Sequence, residues 1–156
     1  MKKALFLSLA ASVLTVSAVA HAFDKGPLKI DHPWSRETAA QASTGAGFLS
    51  IQNYGKTPDR LVAIKSSISD DVQVHTMTME GGVMRMRELK NGLTIPPGGE
   101  VKLQPGAEHI MFMGLKGPIK LGEDFTATLV FERAGEVEVT FKVEPAGAKP
   151  AAGHQH

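Results

Sequence analysis

The most regular pattern in the chain lies at residues 72–89, which read VQVHTMTMEGGVMRMREL. In its first half, β-branched residues alternate with polar or sulfur-containing ones, the two-residue period of a strand with two unlike faces. Gly81 and Gly82 interrupt the alternation, and glycine accepts the positive φ that a two-residue hairpin turn requires. The stretch therefore predicts a β-hairpin closed by the two glycines.

The two-residue turn also fixes which residues of the hairpin face each other. Met77 then faces Met86, and His75 faces Glu88. Met86 becomes the diagonal neighbour of His75 on the same face. Diagonal Cα atoms lie about 7–8 Å apart, which one bridging metal ion can span.

The rest of the chain consists of short β-rich runs separated by Gly, Pro, Asn and Asp, without helical periodicity. The predicted strands are 47–54, 60–65, 72–79, 83–89, 101–103, 109–115, 125–131 and 137–143. Strands of this number and spacing predict an all-β, Greek-key β-sandwich, with a small closed barrel as the alternative.

Both ends of the chain are expected to lie outside this domain. Residues 1–22 are predicted to be a secretory signal peptide, because two lysines precede an uncharged apolar run that ends in small residues. Cleavage after Ala20 is the alternative. Residues 23–144 form the predicted domain, and the Ala-, Gly- and Pro-rich segment 145–156 is predicted to be disordered. We therefore expect a periplasmic protein with no stable membrane insertion.

The charge balance excludes strongly charged partners. The 17 basic residues fall to 15 without the two signal-peptide lysines, against 16 acidic ones. A nearly neutral chain lacks the basic excess typical of proteins that bind nucleic acid or anionic membranes.

Methionine and histidine are concentrated between residues 75 and 113. Apart from the initiator, every methionine lies there: Met77, Met79, Met84, Met86, Met111 and Met113. Core packing is the ordinary role of methionine. For the methionines that are not metal ligands two roles stay open: packing in the core, or forming a soft docking patch around the site. In 109–113, however, Ile110 and Phe112 alternate with His109 and Met111, so the sulfur-bearing face is opposite the core face. The donors would meet if this strand lay beside the hairpin.

Thioether and imidazole donors are uncharged and polarisable, which favours Cu(I) over Zn(II), Mg(II) or Ca(II). Cysteine is absent, which excludes a blue-copper electron carrier and a thioredoxin-like copper donor with paired thiols. Thioethers also resist the disulfide formation that an oxidising compartment promotes. The cluster therefore predicts an exposed Cu(I) site from which the ion passes to an acceptor by ligand exchange.

Three segments carry a more specific signature: HTMTMEGGVMRMR at 75–87, IPPGG at 95–99 and PGAEHIMFMGLK at 105–116. With them the chain, from about Trp34 to Phe131, resembles the PCuAC family of periplasmic copper chaperones. Ten residues separate His75 from Met86, and 22 separate Met86 from His109, one more than the family's usual spacing.

The resemblance implies a cupredoxin-like fold and one Cu(I) ion held by two histidines and two methionines. The implied ligands are His75, Met86, His109 and Met111. It also implies delivery of copper to the dinuclear copper site of cytochrome c oxidase, or exchange with another copper chaperone. A further implication, from members with metal-binding tails, is a secondary Cu(II) site involving His154 and His156.

Two other classes of function stay open beside the expected monomeric, non-enzymatic chaperone. If cleavage follows Ala20, His21 becomes the amino terminus and could chelate Cu(II) as part of a copper enzyme. Alternatively, the domain is a structural or adhesive β-sandwich in which the methionines only pack. His32, beside Pro33 and Trp34, is interpreted as structural.

Overall fold

The computed structural model describes residues 22–150, which form eleven strands and no helix. The strands are β1 (Ala22–Lys25), β2 (Leu28–Arg36), β3 (Thr44–Asn53), β4 (Asp59–Lys65), β5 (Ser69–Glu80), β6 (Val83–Glu88), β7 (Leu93–Ile95), β8 (Glu100–Leu103), β9 (His109–Leu115), β10 (Phe125–Phe131) and β11 (Gly135–Glu144). Among the described residues there is no helix that could cross a membrane. The predicted signal peptide, His21, His154 and His156 fall outside the described residues, apart from Ala22.

Neighbouring strands follow one hydrogen-bonded path in the order β6-β5-β9-β3-β2-β11-β10-β4-β7, with β1 beside β2 and β8 beside β3. All pairs are antiparallel except β11 with β2. The path folds back on itself, because β4 contacts β5 although the two are far apart in the order. This layered, all-β arrangement agrees with the predicted sandwich.

The core lies between the layers and contains a cluster of phenylalanines. Phe112 of β9 meets Phe125 and Phe141 edge-on, at 5.3 and 5.7 Å between ring centroids. Gly47 of β3 lies against this cluster, where a Cβ atom would come within 2.8 Å of the Phe112 ring. Ile110 and Phe112 are fully buried, as the alternation in β9 predicts.

Asp59 at the start of β4 is a buried carboxylate whose role the sequence does not reveal. Its two oxygens accept hydrogen bonds from the backbone N–H groups of Arg60, Arg133 and Ala134. Arg133 and Ala134 form the turn between β10 and β11. The carboxylate therefore ties this turn to β4, and its hydrogen bonds offset the cost of its burial.

Strands β1, β2 and β7 were not predicted. β2 contains Pro33, which argues against a regular strand, and the register with β3 shifts between Asp31 and Trp34. His32 sits in this bulge with a φ of 49°. Proline is thus accommodated at an irregularity in the ladder, as β-bulges allow.

The first part of the predicted C-terminal tail lies against β2. Arg36 donates hydrogen bonds from Nε and Nη2 to the Ala148 carbonyl, at 3.0 and 2.7 Å. Its guanidinium also lies over the rings of Trp34 and Phe48. Residues 151–156 fall outside the described part of the chain.

Candidate metal centre

The candidate site lies on one face of three consecutive strands, β6, β5 and β9. The β5–β6 register pairs Met77 with Met86 and His75 with Glu88, as predicted. Gly81 and Gly82 have φ values of 57° and 79°, which confirms the positive-φ turn. Strand β9 pairs with β5 on the side opposite β6.

His75 and His109 are direct cross-strand partners in the β5–β9 ladder. Their ring centroids are 5.9 Å apart and the rings are tilted by 56°. Directly opposed side chains on one face of a sheet are its closest neighbours. The two imidazoles therefore form the centre of the candidate site.

The ring of His109 is oriented by the chain just before β9. Its Nδ1 donates a hydrogen bond to the Ala107 carbonyl at 2.9 Å, since a carbonyl can only accept. The neutral ring then carries its lone pair on Nε2. A backbone carbonyl behind one nitrogen is the usual way in which a metal-binding histidine is oriented.

His75 is oriented by two side chains of its own strand. Asp71 Oδ2 accepts from Gln73 Nε2 at 2.8 Å, and because a carboxylate cannot donate, this fixes the orientation of the amide. Gln73 Oε1 then faces His75 Nε2 at 2.8 Å and accepts a hydrogen bond from its N–H. The lone pair of His75 is thereby placed on Nδ1.

This Nδ1 atom is buried and has no hydrogen-bond partner among the described residues. A buried acceptor without a partner is costly and calls for an explanation. A soft metal ion supplies one, because it binds the lone pair of a neutral imidazole. The residues present therefore fit a metal ion.

Two influences lower the pKa of His75 below its ordinary value of 6.5: burial first, and then the neighbouring His109. The carboxylate of Glu88, its partner across β6, acts in the opposite direction. The lowered pKa keeps His75 neutral at pH 7, which is the form that binds metal.

The expectation of an exposed site is wrong for His109, which is only 6% exposed. It begins β9, next to the fully buried Ile110, and pairs with His75. Met86, by contrast, is 55% exposed. Met111 and His75 are intermediate, so the candidate site runs from the buried His109 to the exposed Met86.

The two candidate methionine ligands are not neighbours. Met86 faces Met77 on one side of β5, whereas Met111 faces Gln73 on the other side. In a regular sheet this places their Cα atoms about 16 Å apart, four residues along the strand and two strands across. Two extended methionine side chains that bind one ion can have their Cα atoms at most about 13 Å apart. Strand β6 must therefore bend toward β9 before both can bind.

The other methionines do not serve as core residues. None of the methionines in residues 22–150 belongs to the hydrophobic core or packs against it. Met79 faces Met84 in the β5–β6 ladder, and Met113 faces Asp71 in the β5–β9 ladder. Core packing therefore does not explain the concentration of methionine in this part of the chain.

Apart from Glu88, which faces His75, the charged residues of the hairpin lie on its opposite face. Arg85 and Arg87 face Thr78 and Thr76, and both pair with Glu80, at 3.4 and 2.6 Å. Within residues 22–150, no three His, Asp or Glu side chains are placed to hold a metal ion together.

Sequence reasoning missed Asp71 and Gln73, which determine the tautomer of His75. A signal was present, because both alternate with His75 and therefore lie on its face of the strand. Their mutual hydrogen bond depends on side-chain rotamers, which alternation does not specify. The predicted secondary site at His154 and His156 lies outside the described residues.

The comparisons with known proteins agree with this fold. A family model described as "Putative lipoprotein LpqE-like" matches residues 28–143. A protein of Leifsonia xyli subsp. xyli, named "Putative lipoprotein Lxx21020", is 32% identical over 117 residues, which are 75% of this chain and 69% of that protein.

The solved structures that are similar over most of the chain include two with bound copper in their names. One, named "Copper-bound PCuAC domain from PmoF2", is 29% identical with a TM-score of 0.69, over 80% of this chain and 98% of that one. The other, the solution structure of CuI-DR1885 from Deinococcus radiodurans, is 25% identical with a TM-score of 0.63, over 86% and 87% of the two chains. The predicted cupredoxin-like fold is confirmed.

Proposed function

The chain belongs to the LpqE-like family, which is the family of the PCuAC domains, and from this we propose its function. We propose that the protein is a copper chaperone that carries Cu(I). The ion is its cargo. The proposed ligands are His75, Met86, His109 and Met111. The protein acts outside the cytoplasm and is not an enzyme.

One observation carries the proposal: His75 and His109 face each other across two strands, and each ring has one nitrogen that is not hydrogen-bonded to a protein acceptor. Each ring has one nitrogen engaged by an acceptor, Gln73 Oε1 or the Ala107 carbonyl. The other nitrogen of each ring, Nδ1 of His75 and Nε2 of His109, carries a lone pair. Two uncharged imidazoles on neighbouring strands can thus bind one ion without losing a proton.

The thioethers of Met86 and Met111 give the site its preference for Cu(I). Both lie diagonal to His75, one on each side of β5. Thioethers are soft, neutral ligands that bind Cu(I) better than the harder divalent ions. In this proposal Met111 and the two histidines bind first, and Met86 completes the set when the hairpin bends.

Transfer follows from the unequal exposure of the ligands. Met86 is the most exposed of the four, and all of β6 is exposed. An acceptor's ligand can therefore displace Met86 first and draw the ion away step by step. The copper-site subunit of cytochrome c oxidase is the proposed acceptor, and the protein is proposed to act in the periplasm as a monomer.

A competition experiment tests the proposal. The purified mature protein, under anaerobic conditions with a reductant, is titrated against a chromophoric Cu(I) chelator. We expect one tightly bound Cu(I), a large loss of affinity in His75→Ala and a smaller loss in Met111→Leu. Met113→Leu is the matched control, since Met113 shares the face and the strand of Met111 but faces Asp71. An equal effect of both methionine substitutions, or unchanged affinity in His75→Ala, would contradict the proposed ligands.

A further inference from the structure

The hairpin carries more thioethers than the candidate centre uses. Residues 77–86, here called the hairpin ribbon, extend beyond the end of β9, which pairs with β5 only as far as His75. On one face of the ribbon Met79 opposes Met84, and Met77 opposes Met86. We call each such cross-strand pair a rung, and both rungs of this face are pairs of methionines.

The turn geometry brings the two members of each rung close together. In a hairpin with a two-residue loop, the residues flanking the loop form a hydrogen-bonded pair, here Glu80 and Val83. Pairs then alternate along the ladder, so both methionine rungs fall at non-hydrogen-bonded positions. There the Cα atoms are about 4.5 Å apart and the side chains are closest.

Burial does not explain these side chains. Met79 is 64% exposed and Met84 is 48% exposed. Neither contacts the core. Exposed large apolar side chains stabilise a fold little, and clustered ones indicate a binding site. What Met79 and Met84 share with Met77 and Met86 is a thioether on the same face of the ribbon.

We propose that Met77, Met79 and Met84 form a second, weaker Cu(I) site made only of thioethers. The inference rests on the proposed function, because it concerns the same cargo. Three neutral sulfur ligands on two rungs suit a soft monovalent ion. The ion stays Cu(I) throughout, so its movement from one site to the other needs only the exchange of ligands and no redox step.

The second site is distinct from the centre at His75. Met79 lies four residues further along β5, which is about 13 Å in an extended strand. Met77 and Met86 form the rung between Met79 and His75. Copper taken up near the turn can therefore move inward by exchanging one thioether for the next, with His75 and His109 as the tighter end.

The stoichiometry of Ag(I) binding tests the inference. Ag(I) is a soft, closed-shell, monovalent probe that does not need a reductant. We expect two equivalents per chain, and we expect the ε-methyl NMR signals of Met77, Met79 and Met84 to shift with the second one. The double substitution Met79→Leu with Met84→Leu should abolish the second equivalent and keep the first. Leucine preserves the size and the apolar character of these exposed positions.

Two further variants separate the inference from the proposed function. His75→Ala combined with His109→Ala should lose the tight equivalent and keep the weak one on the ribbon. Met113→Leu should keep both. A wild-type protein that binds a single equivalent would overturn the inference and leave the proposed function intact. Absence of the tight equivalent would overturn the proposed function instead.

Discussion

Among single residues, Gln73 is expected to act as a positioning residue for His75. Replacing it by leucine removes the acceptor at His75 Nε2, so the ring proton can move to Nδ1 and block the proposed ligand atom. Loss of such an outer hydrogen bond typically lowers metal affinity about 10–100-fold. We expect this loss in Gln73→Leu, measured by chelator competition.

A spectroscopic measurement distinguishes this role from a general structural one. In the metal-free wild type, ¹⁵N ring shifts should show the Nε2–H tautomer of His75, and in Gln73→Leu a mixture of tautomers. Gln104→Leu, on an exposed residue before the β8–β9 turn, is the control. Unchanged ring shifts in Gln73→Leu would show that Gln73 does not orient the ring.

The pH dependence of copper binding follows from the same histidine. Because burial and His109 lower the pKa of His75, protonation begins at a lower pH than for an ordinary histidine near 6.5. The favourable contribution of neutral His75 to folding is therefore complete above pH 6.5 and is lost as the pH falls through the lowered pKa. Cu(I) affinity depends only on the pKa in the folded protein, so it should begin to fall near the lowered pKa of His75 and continue to fall below it.

NMR titration of the His75 ring, beside chelator competition between pH 4 and 8, measures both effects. Replacing Glu88 by Gln should lower the pKa of His75 further, since the carboxylate is the one influence that raises it. Glu123→Gln, on an exposed loop away from the site, is the control. A rise in the His75 pKa of Glu88→Gln would contradict this account.

At the scale of elements, the hairpin ribbon is the part expected to move when copper binds. Beyond His75, β5 pairs only with β6, and a two-stranded ribbon twists more readily than a full sheet. Binding by both Met86 and Met111 requires the ribbon to bend toward β9. We therefore expect nuclear Overhauser contacts between the ε-methyl groups of Met86 and Met111 in the Cu(I) form only.

The measurement uses protein labelled at the methionine methyl groups, with and without one equivalent of Cu(I). Backbone amide shifts should be largest in β6 and small in β10, which lies in the other part of the sheet order. If the contact were absent from the Cu(I) form, Met86 and Met111 would not share the ion.

The elements that sequence reasoning predicted are those whose information is local. The register of the β5–β6 hairpin depends on two glycines and on alternation, and both are visible in residues 72–89. Strand β2 was missed because Pro33 masks it, and its pairing with β11 at the other end of the chain supplies what the local pattern lacks. The position of β9 beside β5 also depends on contacts between distant parts of the chain. From the sequence it was therefore only an assumption, on which the convergence of the four ligands depended.

For the whole molecule, the separation of the site from the core has a thermodynamic consequence. The Phe112, Phe125 and Phe141 cluster and its apolar neighbours hold the fold together, and no methionine of residues 22–150 contributes to that core. Changes at Met86 and Met111 should therefore alter metal binding with little effect on the metal-free fold. Surface substitutions usually change stability by no more than about 0.5 kcal/mol.

Thermal unfolding with and without Cu(I) tests this separation. A ligand that binds only the folded state stabilises it by about 2.7 kcal/mol when its free concentration is 100 times Kd. For a domain of this size that raises Tm by several degrees or more. Met86→Leu combined with Met111→Leu should unfold near the wild-type Tm without metal and lose most of the copper-induced rise. Asp59→Ala should lower the Tm of the metal-free protein but keep the copper-induced rise. The substitution leaves the backbone N–H groups of the β10–β11 turn without their acceptor, whereas the proposed ligands stay in place. If the double methionine variant unfolded well below the wild type without metal, these side chains would be part of the packing that maintains the fold.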